Sequence, residues 1–229
     1  QARAPGQFDA RERRTVLKIL HKQASMAGHA LPAREDMESK DKNLDHSVQS
    51  PEGYKAPAKK IRHLFLTGFM GTGKTSVARE LEKLTGMPVM EMDAELARRE
   101  GRSIPDIFAA EGEGYFRQIE TQLLQDIARE ETAMIVSCGG GAVLAEKNPR
   151  LMKSCGKVVL LTARPETIYA RVGGDEGRPN LKGRKSPKDI EALMAQRAPK
   201  YKAAADVVVE TDRKDIKAIA REILAVCSE

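Results

Sequence analysis

The residues best placed to do chemistry are Gly68-Phe69-Met70-Gly71-Thr72-Gly73-Lys74-Thr75, followed by Ser76. The spacing fits G-x-x-x-x-G-K-[ST]. Glycines at these positions let the backbone curl so that several N–H groups converge on one concavity, which suits anionic oxygens. If a helix starts there, its N-terminus adds partial positive charge at the same point. Lys74 can then reach terminal phosphates, and the Thr75 hydroxyl can ligate Mg²⁺. Gly71, Thr72, Gly73, Lys74, Thr75 and Ser76 are therefore the candidate nucleotide contacts. A ligand-free glycine turn is the alternative, and the motif alone leaves the phosphoryl acceptor open.

Such a loop needs a buried strand before it and an amphipathic helix after it. Ile61–Thr67 is a short apolar run that fits the strand, and Thr75–Thr85 places Val77, Leu81 and Leu84 on one helical face with Gly86 as its stop. The alternation continues. Strands are expected at Val89–Met92, Ala133–Ser137, Lys157–Thr162 and Val207–Val209. Helices are expected at Asp93–Arg99, Ile104–Ala110, Tyr115–Glu131, Pro165–Val172 and Asp189–Tyr201, with a closing helix from about Lys214. Strands alternating with helices imply an α/β fold whose parallel sheet is covered on both faces.

The chain changes character near residue 60, which divides it into a basic N-terminal segment and linker, 1–60, and a domain at 61–229. A helix is expected over 10–28, where Asp9 and Glu12 form a capping pair and Val16, Leu17, Leu20 and Ala24 make an apolar stripe among basic residues. Residues 32–60 are rich in Pro, Ser, Asp and Lys and read as a linker. This segment allows the chain to be one module of a larger or multifunctional polypeptide. The first residue, Gln1, is compatible with a processed product or a fragment.

With 229 residues, 41% of them hydrophobic, the chain can bury an aliphatic core; aromatics reach only 4% and Trp is absent. Stacking platforms for single-stranded nucleic acid are thus not expected. The net charge of +6 suits an enzyme with polyanionic substrates as well as it suits nucleic acid. Three scattered cysteines, Cys138, Cys155 and Cys227, offer neither a disulfide framework nor a zinc site, and point to a reducing compartment. No apolar run is long enough for a bilayer, so no membrane partner is expected and the expected location is the cytoplasm.

From about Leu64 to Leu224 the chain resembles the shikimate kinases. The resemblance rests on the phosphate loop and on further segments in matching order. Glu91-Met92-Asp93 stands for an Asp-x-Asp, and Gly101–Phe108 for GxSIxxIF. Phe116-Arg117-Gln118-Ile119-Glu120 matches FRxxE, and Gly139-Gly140-Gly141 a glycine triplet. Arg178-Pro179 resembles a lid, and Arg197-Ala198-Pro199-Lys200-Tyr201 matches RxPxY. The resemblance implies a three-layer α/β/α P-loop kinase fold with a five-stranded parallel sheet and a mobile lid over Gly173–Pro187. It implies ATP and shikimate as small-molecule substrates, no nucleic-acid partner, and Mg²⁺ held by Thr75 and Glu91.

The same resemblance makes Lys74, Asp93 and Arg178 catalytic. Asp93 also accepts hydrogen bonds from substrate hydroxyls, Arg117 and Arg197 bind the carboxylate, and Gly139, Gly140 and Gly141 let backbone amides approach the acceptor. Arg171 and Arg178 belong with ATP. Bland roles remain open for several of these. Arg117 and Arg197 could be ion-pair partners of Glu120 and Glu191, Asp93 a helix cap, Arg171 a surface residue and Cys138 a small core residue. Glu91 replaces the first acid of Asp-x-Asp with a side chain one methylene longer, and Asn180 replaces a usual apolar residue. These departures leave two other readings: a kinase for another hydroxy acid such as gluconate, or a ligand sensor of kinase ancestry.

Overall fold

The computed structural model describes residues 62–172 and 186–227; the expected helix over 10–28 and the linker lie outside them. Five strands form one parallel sheet: β1 (His63–Gly68), β2 (Val89–Glu91), β3 (Ile135–Ser137), β4 (Gly156–Thr162) and β5 (Val207–Glu210). Their order across the sheet is β2-β3-β1-β4-β5. β1 is therefore central, flanked by β3 on one side and β4 on the other. In open parallel sheets, ligands bind beyond the carboxyl ends of strands where the winding reverses. The phosphate loop leaves β1 at that point.

Alternation along β1 divides the core. Phe65 faces a cluster with Met92, Ile107, Phe116, Leu123, Met152 and Leu160, while Leu64 and Leu66 face Val77, Leu81, Ile219 and Ile223. Helices cover each face accordingly. α1 (Lys74–Thr85) and α7 (Ile216–Cys227) pack on the second face; α2 (Met92–Glu100), α3 (Ile104–Arg129) and α4 (Lys147–Cys155) pack on the first. α5 (Pro165–Val172) and α6 (Pro187–Ala204) build a third cluster with Phe69 and Met70 of the phosphate loop. These are the three layers expected from the alternation.

Some boundaries differ from the sequence reading. Met92 opens α2 instead of ending β2. The two helices expected around Ile104 and Tyr115 are both present, meeting at Gly112, whose φ of 79° and ψ of 179° are not helical, and α3 names the pair. α4 was not expected: its sequence, KNPRLMKSC, carries few apolar residues, and packing of Met152 and Cys155 against the sheet decides its place. α7 starts two residues later than expected, because Asp215 accepts the Ala218 N–H at 2.7 Å and caps it. Among the described residues, no helix is long and apolar enough to cross a membrane.

Candidate active site

Beyond the end of β1, the phosphate loop, β2 and the turn after β3 enclose a cavity of about 310 Å³. Gly71, Gly73, Lys74, Thr75, Ser76, Glu91, Asp93 and Gly140 all line it, together with Met70, Ser137 and Cys138. The loop enters it through Gly68, which has φ 141°. A Cβ there would collide with the Leu161 carbonyl of β4, so the tight exit from the central strand requires glycine. Lys74 Nζ donates to the carbonyls of Gly68 at 2.9 Å and Phe69 at 3.1 Å, which holds the ammonium over the loop. Thr72 is used internally: its buried hydroxyl donates to the Phe69 carbonyl at 2.8 Å. Arg171, exposed at the end of α5, donates from Nη1 to the Gly71 carbonyl at 3.0 Å, which ties it to the phosphate loop.

Glu91 and Asp93 reach the cavity from the junction of β2 and α2. The helix-cap position falls on Glu91, with extended backbone, so Asp93 lies in the first turn of α2 and is not its N-cap. Glu91 does not cap with its side chain either. Its Oε2 accepts from Thr75 Oγ1 at 3.1 Å, while its Oε1 is buried without a hydrogen-bond partner. A hydroxyl and a carboxylate brought together, with one oxygen still unsatisfied, make a hard-oxygen donor set of the kind Mg²⁺ takes while keeping several waters.

Next to the glycine triplet, α3 contributes Arg117 one turn before Glu120. Arg117 Nη1 pairs with Glu120 Oε2 at 2.8 Å and Nη2 with Glu113 Oε1 at 3.0 Å. The ion-pair reading of Arg117 thus holds, and the pairing orients its guanidinium. Glu120 is completely buried, its Oε1 has no hydrogen-bond partner, and burial pushes its carboxyl above the usual carboxylate range, with Arg117 opposing. The glycine triplet is threaded between these groups. A Cβ at Gly139 would lie 2.6 Å from Asp93 Oδ1 and 3.0 Å from Glu120 Oε1; one at Gly141 would lie 2.5 Å from Arg117 Nη2. Asp93, Arg117 and Glu120 therefore converge on one turn, and a side chain at Gly139 or Gly141 would displace them.

Arg197, in α6, is not paired with Glu191; its guanidinium sits 5.9 Å from the Phe69 ring centroid. Two turns of chemistry meet nearby: the charges of Arg197, Arg117 and Glu120 all act on the buried Tyr201 phenol. Cys138 is buried, and burial pushes its thiol up, so it is a core residue and a poor thiolate. Arg178 lies outside the described residues, as do all of 173–185. Glu113, Ser137 and Tyr201 were not expected in the site. Glu113 and Tyr201 carried a signal, since the one lies four residues before Arg117 and the other four after Arg197 on a helix.

The family model for shikimate kinase matches residues 70–228. A shikimate kinase of Moorella thermoacetica is 44% identical over 161 residues, covering 70% of this chain and 91% of that protein. The chain belongs to the shikimate kinase family. A shikimate kinase of Geobacter metallireducens is 41% identical over 163 residues, covering 71% and 90%. Among solved structures, the shikimate kinase of Acinetobacter baumannii in complex with shikimate superposes with a TM-score of 0.69 at 33% identity, covering 73% of this chain and 93% of that one. That of Aquifex aeolicus gives 0.60 at 32%, covering 72% and 94%. The shikimate kinase fold thus accounts for the five-stranded parallel sheet and its helical layers.

Proposed function

We propose that this shikimate kinase transfers the γ-phosphoryl group of ATP to the 3-hydroxyl of shikimate, giving shikimate 3-phosphate and ADP. The observation that carries this reading is the convergence of Asp93 and Arg117 on the glycine triplet, at the rim of a phosphate loop that holds Lys74 and Thr75. Family relatives at 44% and 41% identity are named shikimate kinases, which favours the ring acid over gluconate as acceptor.

In this mechanism the loop amides and Lys74 hold the phosphates of ATP. Arg117, oriented by Glu113 and Glu120, takes the acceptor carboxylate with Arg197 as the second guanidinium. Asp93 accepts hydrogen bonds from the acceptor hydroxyls. As the new O–P bond forms at the 3-hydroxyl oxygen and the bond from the γ-phosphorus to the β–γ bridging oxygen breaks, the hydroxyl proton passes to Asp93. Thr75 and Glu91 are the residues that would hold Mg²⁺, which neutralises phosphate charge when bound. Arg178 is assigned to the transferring group by the family resemblance. Charge neutralisation and alignment supply most of the rate, because phosphoryl transfer asks little covalent chemistry of the protein.

The test is ADP release from ATP and Mg²⁺ with shikimate, with gluconate, and with neither, using Lys74→Ala as the blank. Shikimate-dependent release that Lys74→Ala loses is the expected outcome. Equal release with gluconate, or none above the blank from protein that binds ATP, would overturn the assignment.

A further inference from the structure

The fold gives one buried hydroxyl a task that the mechanism above does not use. Tyr201 is 5% exposed, and its hydroxyl donates to the carbonyl of Gly140, 61 residues earlier in the chain. The carbonyls on either side are satisfied locally: Gly139 accepts from the Ala142 N–H at 3.1 Å and Gly141 from the Leu144 N–H at 2.9 Å. The middle carbonyl of the triplet is thus held from a different layer of the molecule. A Cβ at Gly140 would lie 3.7 Å from the backbone nitrogen of Met70, so this middle residue also adjoins the phosphate loop.

α6 makes two further ties to the same region. Arg197, four residues before Tyr201 and on the same side of the helix, lies over Phe69 of the phosphate loop. Lys200 Nζ donates to the Leu144 carbonyl at 3.0 Å, just past the triplet. One helix therefore touches the nucleotide loop through Arg197 and the acceptor turn through Tyr201. Burial pushes the phenol up to about 12, so it keeps its proton and remains a donor throughout the neutral range.

We propose that Tyr201 is a positioning residue: its hydroxyl fixes the Gly139–Gly141 turn for the acceptor and, through α6, sets that turn in register with Arg197. The proposal rests on the acceptor site described above. Its alternative is that Tyr201 merely fills the core with its ring, since it packs among Phe116, Leu160 and Ala204. The two differ in what loss of the hydroxyl alone does. Deleting it leaves the Gly140 carbonyl without its donor while the ring stays in place, a loss comparable to one net hydrogen bond and so on the order of tenfold in the equilibrium it controls.

The experiment uses the full chain with Tyr201→Phe and Tyr201→Met, which fill similar space without a donor, and Tyr115→Phe as control, whose hydroxyl donates to Glu100 on the far part of α2. Hydrogen–deuterium exchange is followed for the peptide spanning 138–144, and KM is measured for shikimate and for ATP. The expected result for Tyr201→Phe is roughly tenfold faster exchange in that peptide and a roughly tenfold higher KM for shikimate, with KM for ATP within about twofold. Either folded variant giving wild-type exchange and wild-type KM, with only a lower Tm, overturns the proposal and leaves core filling. Exchange needs no turnover. A wild-type protein without shikimate-dependent ADP release would therefore sink the acceptor assignment, while the exchange data still decide the role of Tyr201.

Discussion

Adding a single methyl group at Gly139 tests whether the acceptor turn positions Asp93. The backbone of Gly139 is outside the left-handed region, so Ala is tolerated by φ and ψ, and the effect is steric. The new Cβ would lie 2.6 Å from Asp93 Oδ1, against an ordinary contact of at least 3.4 Å, so about 0.8 Å of movement is required. Glu120 Oε1, 3.0 Å from the same Cβ, is crowded as well. Asp93 has to give way. A displacement near 1 Å of a group that aligns or deprotonates the acceptor costs on the order of 10²-fold in rate, which is about 2.7 kcal/mol of barrier. The expected result is a kcat/KM for shikimate down about 10²-fold, a KM for ATP within twofold and a folded protein by circular dichroism. Coupled ADP release with each substrate varied in turn reads both constants. Gly139→Ala with more than half of wild-type kcat/KM would refute the reasoning, because the turn would then be free to move away from Asp93.

Three other outcomes are expected. Asp93→Asn should lower kcat by on the order of 10²-fold; a loss of only twofold in steady-state assays would remove it from proton transfer. Glu91→Ala should raise the Mg²⁺ concentration for half-maximal nucleotide binding, followed by calorimetry, by roughly tenfold, as one of two protein oxygens is lost. An unchanged requirement would place the metal elsewhere. His63 is buried at the start of β1, and burial, reinforced by Arg62, lowers its pKa below 6.5. The unfolded chain then binds more protons than the folded one, so this stability is present above pH 6.5 and lost as pH falls through the lowered value. Tm measured from pH 7.5 to 5 should fall less steeply in His63→Phe than in wild type, and identical slopes would show that His63 does not titrate.

The local steps of this protein are written in its sequence. The phosphate loop is a contiguous run, so glycine spacing, Lys74 and Thr75 announce its chemistry without knowledge of the rest. Strand-helix alternation likewise gives the parallel α/β class, because burial on both faces of a sheet leaves short apolar runs between amphipathic helices. Periodicity is least legible in short helices: α4 turns Asn148, Met152 and Cys155 inward at helical spacing, but nine residues are too few for that pattern to stand out before the sheet buries them. It also blurs where one residue can serve two elements, as when Met92 leaves β2 to start α2.

The site divides in the same way. Arg117 and Glu120 are one helical turn apart, so their pairing is local and readable. That Asp93, Arg117 and Glu120 crowd Gly139 and Gly141 depends on α2, α3 and the turn after β3 being brought together by the sheet order. The Glu91–Thr75 contact depends on β2 lying near the start of α1. The hydroxyl of Tyr201 on the Gly140 carbonyl joins two segments that share no sequence pattern. Sequence by itself determined which chemical groups exist and the elements that carry them, because those depend on neighbours a few residues away. Only the tertiary structure decided which groups meet, because those contacts follow from how the two faces of one sheet are covered.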